Sequence, residues 1–206
     1  MNTAVRRKYN LISRLYDHIW PTYIKKTIGA AIKPLTLNGS ETILDVGCGT
    51  GELEKALIQK HPGLNIVGID LSDDMLEIAR KKLGNYPNIL FKQGDFLSGD
   101  FREGIFDIAF SISNLHYFSN PEATFQKVNR LLKNGGRFVI IDWNRDTFRG
   151  KFYNWYMSRG DPAFAKVYTT QEASEMLANH GFKVESLYDF RVGLLWHMMR
   201  LVSKKS

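Results

Sequence analysis

The sequence predicts an α/β protein built on a doubly wound parallel sheet that closes with an antiparallel hairpin. Three observations predict it. An apolar run, Ile43-Leu44-Asp45-Val46, passes into glycines at every second position, Gly47, Gly49 and Gly51, and then into a helix-like stretch over 52–57. Strand-like and helix-like segments then alternate as far as Asp142, the order that gives parallel strands with right-handed crossovers. Beyond Gly181 two strand-like runs, 183–190 and 194–202, are linked only by Arg191-Val192-Gly193, which permits a hairpin and not a crossover.

Each element has its own signal. Val5, Tyr9, Ile12, Tyr16 and Ile19 fall on one face of a helix that stops at Trp20-Pro21. A second helix is expected over 22–32, before Pro34. Both precede the first strand, so they lie outside the sheet, where they can act as a lid. The run 64–70 reads as a buried strand ending in Asp70, and Ser72 with Asp73-Asp74 opens a helix to Leu83. The third strand, 88–93, breaks at Gly94-Asp95-Phe96, and the fourth covers 105–111. Phe125, Val128 and Leu132 line a helix expected to end at Asn134-Gly135-Gly136, before a fifth strand over 137–142. Residues 143–168 are rich in aromatics without a clear period. Thr169-Thr170-Gln171-Glu172 is a capping box for a last helix ending at Gly181.

The 206 residues read as one domain: a helical lid (1–40), a cofactor-binding core (41–142), an aromatic cap (143–168), and a helix with the hairpin (169–206). With 44% hydrophobic and 24% charged residues the composition is that of a soluble globular protein. No run is long enough to span a bilayer, and residues 1–8 lack the apolar stretch of a secretory signal. Cys48 is the only cysteine, so neither an internal disulfide nor a thiolate zinc site is expected, and a cytoplasmic setting fits. The net charge of +7 sits in short clusters, Arg6-Arg7-Lys8, Lys25-Lys26, Lys81-Lys82 and Lys204-Lys205. These read either as solvated surface or as attraction to an anionic partner, a membrane surface or nucleic acid.

Glycines are needed where a chain turns sharply and a ligand lies against bare backbone. A strand, a glycine turn and a helix N-terminus form a nucleotide-type pocket at the carboxyl edge of a parallel sheet. The spacing here is G-x-G-x-G, not the G-x-G-x-x-G of dinucleotide binding, and no Lys-Ser/Thr pair follows as in a triphosphate loop. Asp70 offers two acceptors, matching the two donors of a free ribose diol. Ser72 already supplies the helix cap. Asp95 reads either as turn chemistry or as a ligand contact, and Met75 either as core or as ligand packing. Cys48 has no base near it in sequence and needs only its small size.

These residues resemble the class I S-adenosylmethionine-dependent methyltransferases, from Asp45 to the C-terminal hairpin, with Phe106-Asp107-Ile108 and 131–136 as further landmarks. The resemblance implies a Rossmann-like sheet of about seven strands whose last strand is inserted antiparallel. It implies S-adenosylmethionine as cofactor and S-adenosylhomocysteine as product. Gly47, Cys48, Gly49 and Gly51 would line the methionyl part and ribose, with Asp45 helping to place the amino group. Asp70 and Leu71 would hold the ribose, and Met75 the adenine face. Asp95 would accept from the adenine amino group beside Phe96, and Ser111 is a further cofactor-binding candidate.

The acceptor is less legible. The Asn/Asp-Pro-Pro-aromatic element of amino-methylating nucleic-acid enzymes is replaced by Ser111-Ile112-Ser113-Asn114, so a nucleic-acid acceptor is not expected. Ser111 also stands where magnesium-dependent catechol-type enzymes need an acid, so no metal is expected beside Asp142. Tyr9…Tyr16-Asp17 looks like the opening of the ubiquinone/menaquinone-biosynthesis C-methyltransferases and related lipid-acceptor enzymes. Their Arg-Asn element gives way here to Asn114-Leu115-His116-Tyr117. The resemblance therefore leaves a small apolar or amphipathic acceptor without carrying a quinone precursor over. His116, following the fourth strand, is the candidate proton carrier, and Tyr16 could face the sulfonium or the acceptor. Two rival readings are methylation of a phospholipid head group at a membrane surface and a cofactor-binding module without chemistry.

Overall fold

The computed structural model describes residues 3–206. Helices α1 (Thr3–Ile19) and α2 (Pro21–Ile32) come first, divided at Trp20 because Pro21 starts a helix and cannot continue one. Then follow β1 (Thr42–Val46), α3 (Glu52–Ile58), β2 (Asn65–Asp70), α4 (Asp73–Leu83), β3 (Ile89–Gln93) and β4 (Phe106–Ile112). A 3-10 turn at Leu115–Tyr117 leads to α5 (Pro121–Leu131), β5 (Leu132–Trp143), α6 (Phe148–Gly160), α7 (Thr170–Asn179), β6 (Phe182–Val192) and β7 (Trp196–Lys205).

The strands form one seven-stranded sheet in the order β3-β2-β1-β4-β5-β7-β6. The first five are parallel, and β7 runs antiparallel to both β5 and β6. Strand order reverses between β1 and β4, which opens a crevice beyond their carboxyl ends. The apolar runs are buried on both faces, as parallel strands require. Along β1, Leu44 packs with Phe125, Val128 and Leu177 on one face, and Ile43 with Tyr23, Leu57 and Ile58 on the other.

Three local readings of the sequence need correction. Helix α5 ends at Leu131, and Asn134-Gly135-Gly136 is not its cap. Leu132 is already extended and pairs with Phe106, so the glycines sit in an irregular stretch at the start of β5, where the register shifts. Burial of Leu132 in the core outweighs the local stop signal. The 143–168 stretch contains helix α6, whose aromatics are spread around its circumference and so give no period. The hairpin turns at Gly193-Leu194-Leu195, with Val192 already paired to Trp196. The capping box at Thr169 is present, with Thr169 Oγ1 accepting from Glu172 N and Glu172 accepting from Thr169 N.

Candidate active site

The turn after β1 holds Gly47, Gly49 and Gly51 at φ of +79°, +54° and +79°, a region that disfavours any side chain. Gly47 and Gly49 line a cavity in the crevice. A Cβ on Gly47 would overlap the Asn114 side chain, whose amide donates to Val46 O (3.0 Å), Gly47 O (3.2 Å) and Ile112 O (2.8 Å). Asn114 thereby ties the ends of β1 and β4 together. Gly51 lies outside the cavity wall; its bareness lets α4 approach, with Ala79 Cβ 3.1 Å from where a Cβ would stand.

Asp70 ends β2 and lines the same cavity. Its Oδ2 accepts from Gly49 N (2.9 Å) and its Oδ1 from Ser72 N (2.8 Å). The carboxylate therefore pins the glycine turn, and each oxygen keeps a lone pair for a further donor. Burial pushes its pKa up, and the backbone donors work against that shift. Leu71, Met75, Asp95 and Phe96 continue the wall. Asp95 Oδ1 accepts from Leu97 N (2.9 Å), which is turn chemistry, while the residue also lines the cavity.

Beneath the turn lies a group that sequence reasoning missed. Glu54 is fully buried close to Asp45, also buried, and neither Glu54 carboxyl oxygen has a hydrogen-bond donor. Desolvation raises both pKa values, that of Glu54 to about 7, and the Asp45 value well above the usual carboxylate range. The signal was present: Glu54, Leu57 and Ile58 share the apolar face of α3, where an acid is out of place. Cys48 is buried beside the pair, and burial followed by the Glu54, Asp70 and Asp45 charges pushes its thiol up, away from nucleophilic chemistry.

Helix α1 closes the crevice from outside. Thr50 Oγ1 donates to Asp17 Oδ1 (2.7 Å), and Lys82 Nζ reaches Asp17 Oδ2 and Glu52 Oε1, both at 2.5 Å. Ser72 Oγ donates to Asn10 Oδ1 (2.6 Å), and Arg6 pairs with Asp73. Lys8 Nζ reaches Tyr117 Oη (2.7 Å) and Asp161 (2.5 Å). Arg6, Lys8 and Lys82, expected in basic clusters, are thus engaged within the chain. Tyr9, Tyr16 and Tyr23 line the cavity from α1 and α2, with Tyr9 edge-on to Tyr16 (6.0 Å) and Tyr117 (5.8 Å). Tyr23 Oη meets Ser113 Oγ at 2.6 Å, beside a backbone held at φ +60°.

His116 and Ser111 are not brought into the cavity wall. His116 is buried, its Nδ1 2.6 Å from Asp142 Oδ1, with its ring stacked on Trp143 at 4.2 Å. The edge of the sheet is where it was expected, but the 3-10 turn points the ring back toward β5. Ser111 Oγ is buried without a partner in the middle of the sheet. Tyr16 does line the cavity, and burial raises its pKa far above ordinary tyrosine, keeping it protonated.

The surviving wall fits an adenosyl sulfonium amino acid. It has bare main chain at Gly47 and Gly49, a carboxylate on β2, and an unpartnered buried Asp45 Oδ1 at the turn. Among the described residues no cluster of three His, Cys, Asp or Glu side chains is placed to hold a metal ion.

Residues 43–136 match the family model described as a methyltransferase domain. The chain is 30% identical to the demethylmenaquinone methyltransferase of Thermotoga maritima, over 87% of this chain and 85% of that one. It is 25% identical to the sterol 24-C-methyltransferase of Saccharomyces cerevisiae over 95% of this chain, but spans only 58% of that enzyme. Among solved structures it resembles geranyl diphosphate C-methyltransferase from Streptomyces coelicolor, which was solved with S-adenosyl-L-homocysteine. The TM-score is 0.72 at 15% identity, covering 88% of this chain and 79% of that one, a likeness of fold.

Proposed function

The chain belongs to the S-adenosylmethionine-dependent methyltransferases, and on that premise we propose that it methylates a small apolar or amphipathic organic molecule. The observation that carries this reading is the wall contributed by α1 and α2. Val5, Tyr9, Tyr16, Tyr23, Ile24, Thr27 and Ile28 line the cavity from these helices without a charged group among them. Such a surface favours rings and hydrocarbon over a charged acceptor. Demethylmenaquinone and sterols, the molecules named for the two relatives, are of that apolar kind.

The cofactor supplies a methyl already activated by its sulfonium, so the protein mainly aligns the reactants and excludes water. In the assignment we adopt, Asp70 holds the ribose and Gly47 with Gly49 presents bare backbone to the methionyl part. Asp45 faces the amino group, while Leu71, Met75, Asp95 and Phe96 enclose the adenine. Tyr16, held protonated, orients an acceptor by donating a hydrogen bond and does not act as a base.

The test is transfer of isotopically labelled methyl to a metabolite extract partitioned between organic solvent and water. Label in a small organic-soluble product is the expected result. Label on nucleic acid, or on the polar head group of a phospholipid, would overturn the apolar-acceptor reading.

A further inference from the structure

Helix α6 presents an aromatic face that nothing in the fold covers. Phe148 is 85% exposed, Phe152 52%, Trp155 51% and Tyr156 57%. Positions 148, 152, 155 and 159 lie along one side of the helix. Phe152 lies 5.9 Å from the Trp155 ring and 6.4 Å from the Tyr156 ring, so the rings form one contiguous patch. The opposite side is fixed to the fold by Tyr153 on Trp143 and by Asn154 Oδ1, which accepts from Val167 N at 2.9 Å. The patch continues onto the β6–β7 turn, where Leu194 is 81% and Leu195 54% exposed, joined to α6 by Arg149 donating to the Leu194 carbonyl.

A soluble surface rarely leaves so many adjacent large apolar side chains in water. The surrounding charge identifies the occupant. Arg149, Lys151, Arg159 and Arg191 are exposed around the patch, and residues 148–160 contain no acid. The Arg159 guanidinium stands 4.6 Å from the Trp155 ring. Amphipathic rings flanked by cations suit the head-group level of a bilayer, where rings enter the interface and arginines meet phosphates. We propose that the exposed face of α6 and the Leu194-Leu195 turn dock this protein on an anionic membrane surface. The docking is peripheral, because among the described residues no helix is long and apolar enough to cross a bilayer. This surface is distinct from the basic clusters on α1 and α4, whose charges are largely engaged within the chain.

The experiment is co-sedimentation of the full chain with two kinds of vesicle, phosphatidylcholine alone and phosphatidylcholine mixed with phosphatidylglycerol, at low and high salt. Binding at least ~10-fold stronger to the anionic vesicles, weakening as salt rises, is expected. The double variant Phe152→Ser/Trp155→Ser should lose most binding to either vesicle, and Lys151→Glu/Arg159→Glu should lose the preference for anionic lipid. Cofactor affinity, measured in parallel by calorimetry, should be unchanged in both and so reports an intact fold. Absence of binding at low salt, or variants that bind like the parent, would overturn the proposal. So would a concentration-dependent dimer abolished by Phe152→Ser/Trp155→Ser, which would make a second copy the occupant. Vesicle binding is independent of which acceptor is methylated, so this proposal and the acceptor assignment can fail separately.

Discussion

Asp45 and Glu54 bring two buried carboxyl groups close together at the glycine turn, with no donor to either Glu54 oxygen. Burial first, and for Asp45 the neighbouring Glu54 charge, favour the protonated acid. An acid whose pKa is raised by folding stabilises the fold while it is protonated. That contribution is full below its ordinary value of 4.5 and is lost as pH rises through about 7. Unfolding free energies from urea titrations should therefore fall between about pH 5 and about pH 8 by a few kcal/mol at most, and Glu54→Gln should flatten the curve. If the two proteins show the same pH dependence, Glu54 is not the group that titrates in this range.

On the proposed assignment the same pair should make cofactor binding proton-linked. With Asp45 assigned to the cationic amino group, binding favours the ionised pair, so affinity should rise with pH across the same range. Calorimetry in buffers of different ionisation enthalpy should register a proton released on binding, and Glu54→Gln should abolish most of that release.

Asp70→Ala removes both the ribose acceptor and the partner of Gly49 N. Cofactor affinity should fall by about 1–3 kcal/mol, the scale for losing a charged acceptor opposite buried donors. Unchanged affinity in a calorimetric titration would refute the ribose assignment.

Gly47→Ala and Gly49→Ala should separate structure from binding. A methyl at 47 drives Asn114 from the ends of β1 and β4, so the loss should appear in thermal stability. A methyl at 49 meets no protein atom within 4 Å, so its stability loss is limited to the positive-φ strain that both positions share, and the remaining effect should appear in cofactor affinity. Equal stability losses in the two variants would contradict this geometry.

His116→Ala leaves the Asp142 carboxylate buried beside Trp143 without its imidazole. Stability should drop by about 3 kcal/mol, the scale for stripping one partner from a buried pair. Turnover per folded molecule should be largely preserved at low temperature. Lost turnover with unchanged stability would restore His116 as the proton carrier.

The sequence by itself determined the alternating α/β order, the hairpin that ends the sheet, and the gathering of Asp45, Gly47, Cys48, Gly49, Asp70, Leu71, Met75, Asp95 and Phe96 around one cavity. These are local facts. Strand period, glycine spacing and a carboxylate at a strand end are fixed within a few residues, and the sheet carries them to one edge. The capping box at Thr169 and the stop at Pro21 are legible for the same reason.

Only the tertiary structure decided what each side chain meets. Gly51 bears on Ala79 and not on the cavity; Ser111 is sealed inside the sheet; His116 turns toward Asp142. Glu54 comes to lie close to Asp45 across the turn, and Asp17 reaches Thr50 from a helix 33 residues earlier in the chain. Burial of Leu132 overrode the Asn134-Gly135-Gly136 stop, and α6 formed without an amphipathic period because aromatics lie on both its packed and its open sides. Direction, burial and charge pairing depend on residues distant in sequence, and no local pattern encodes them.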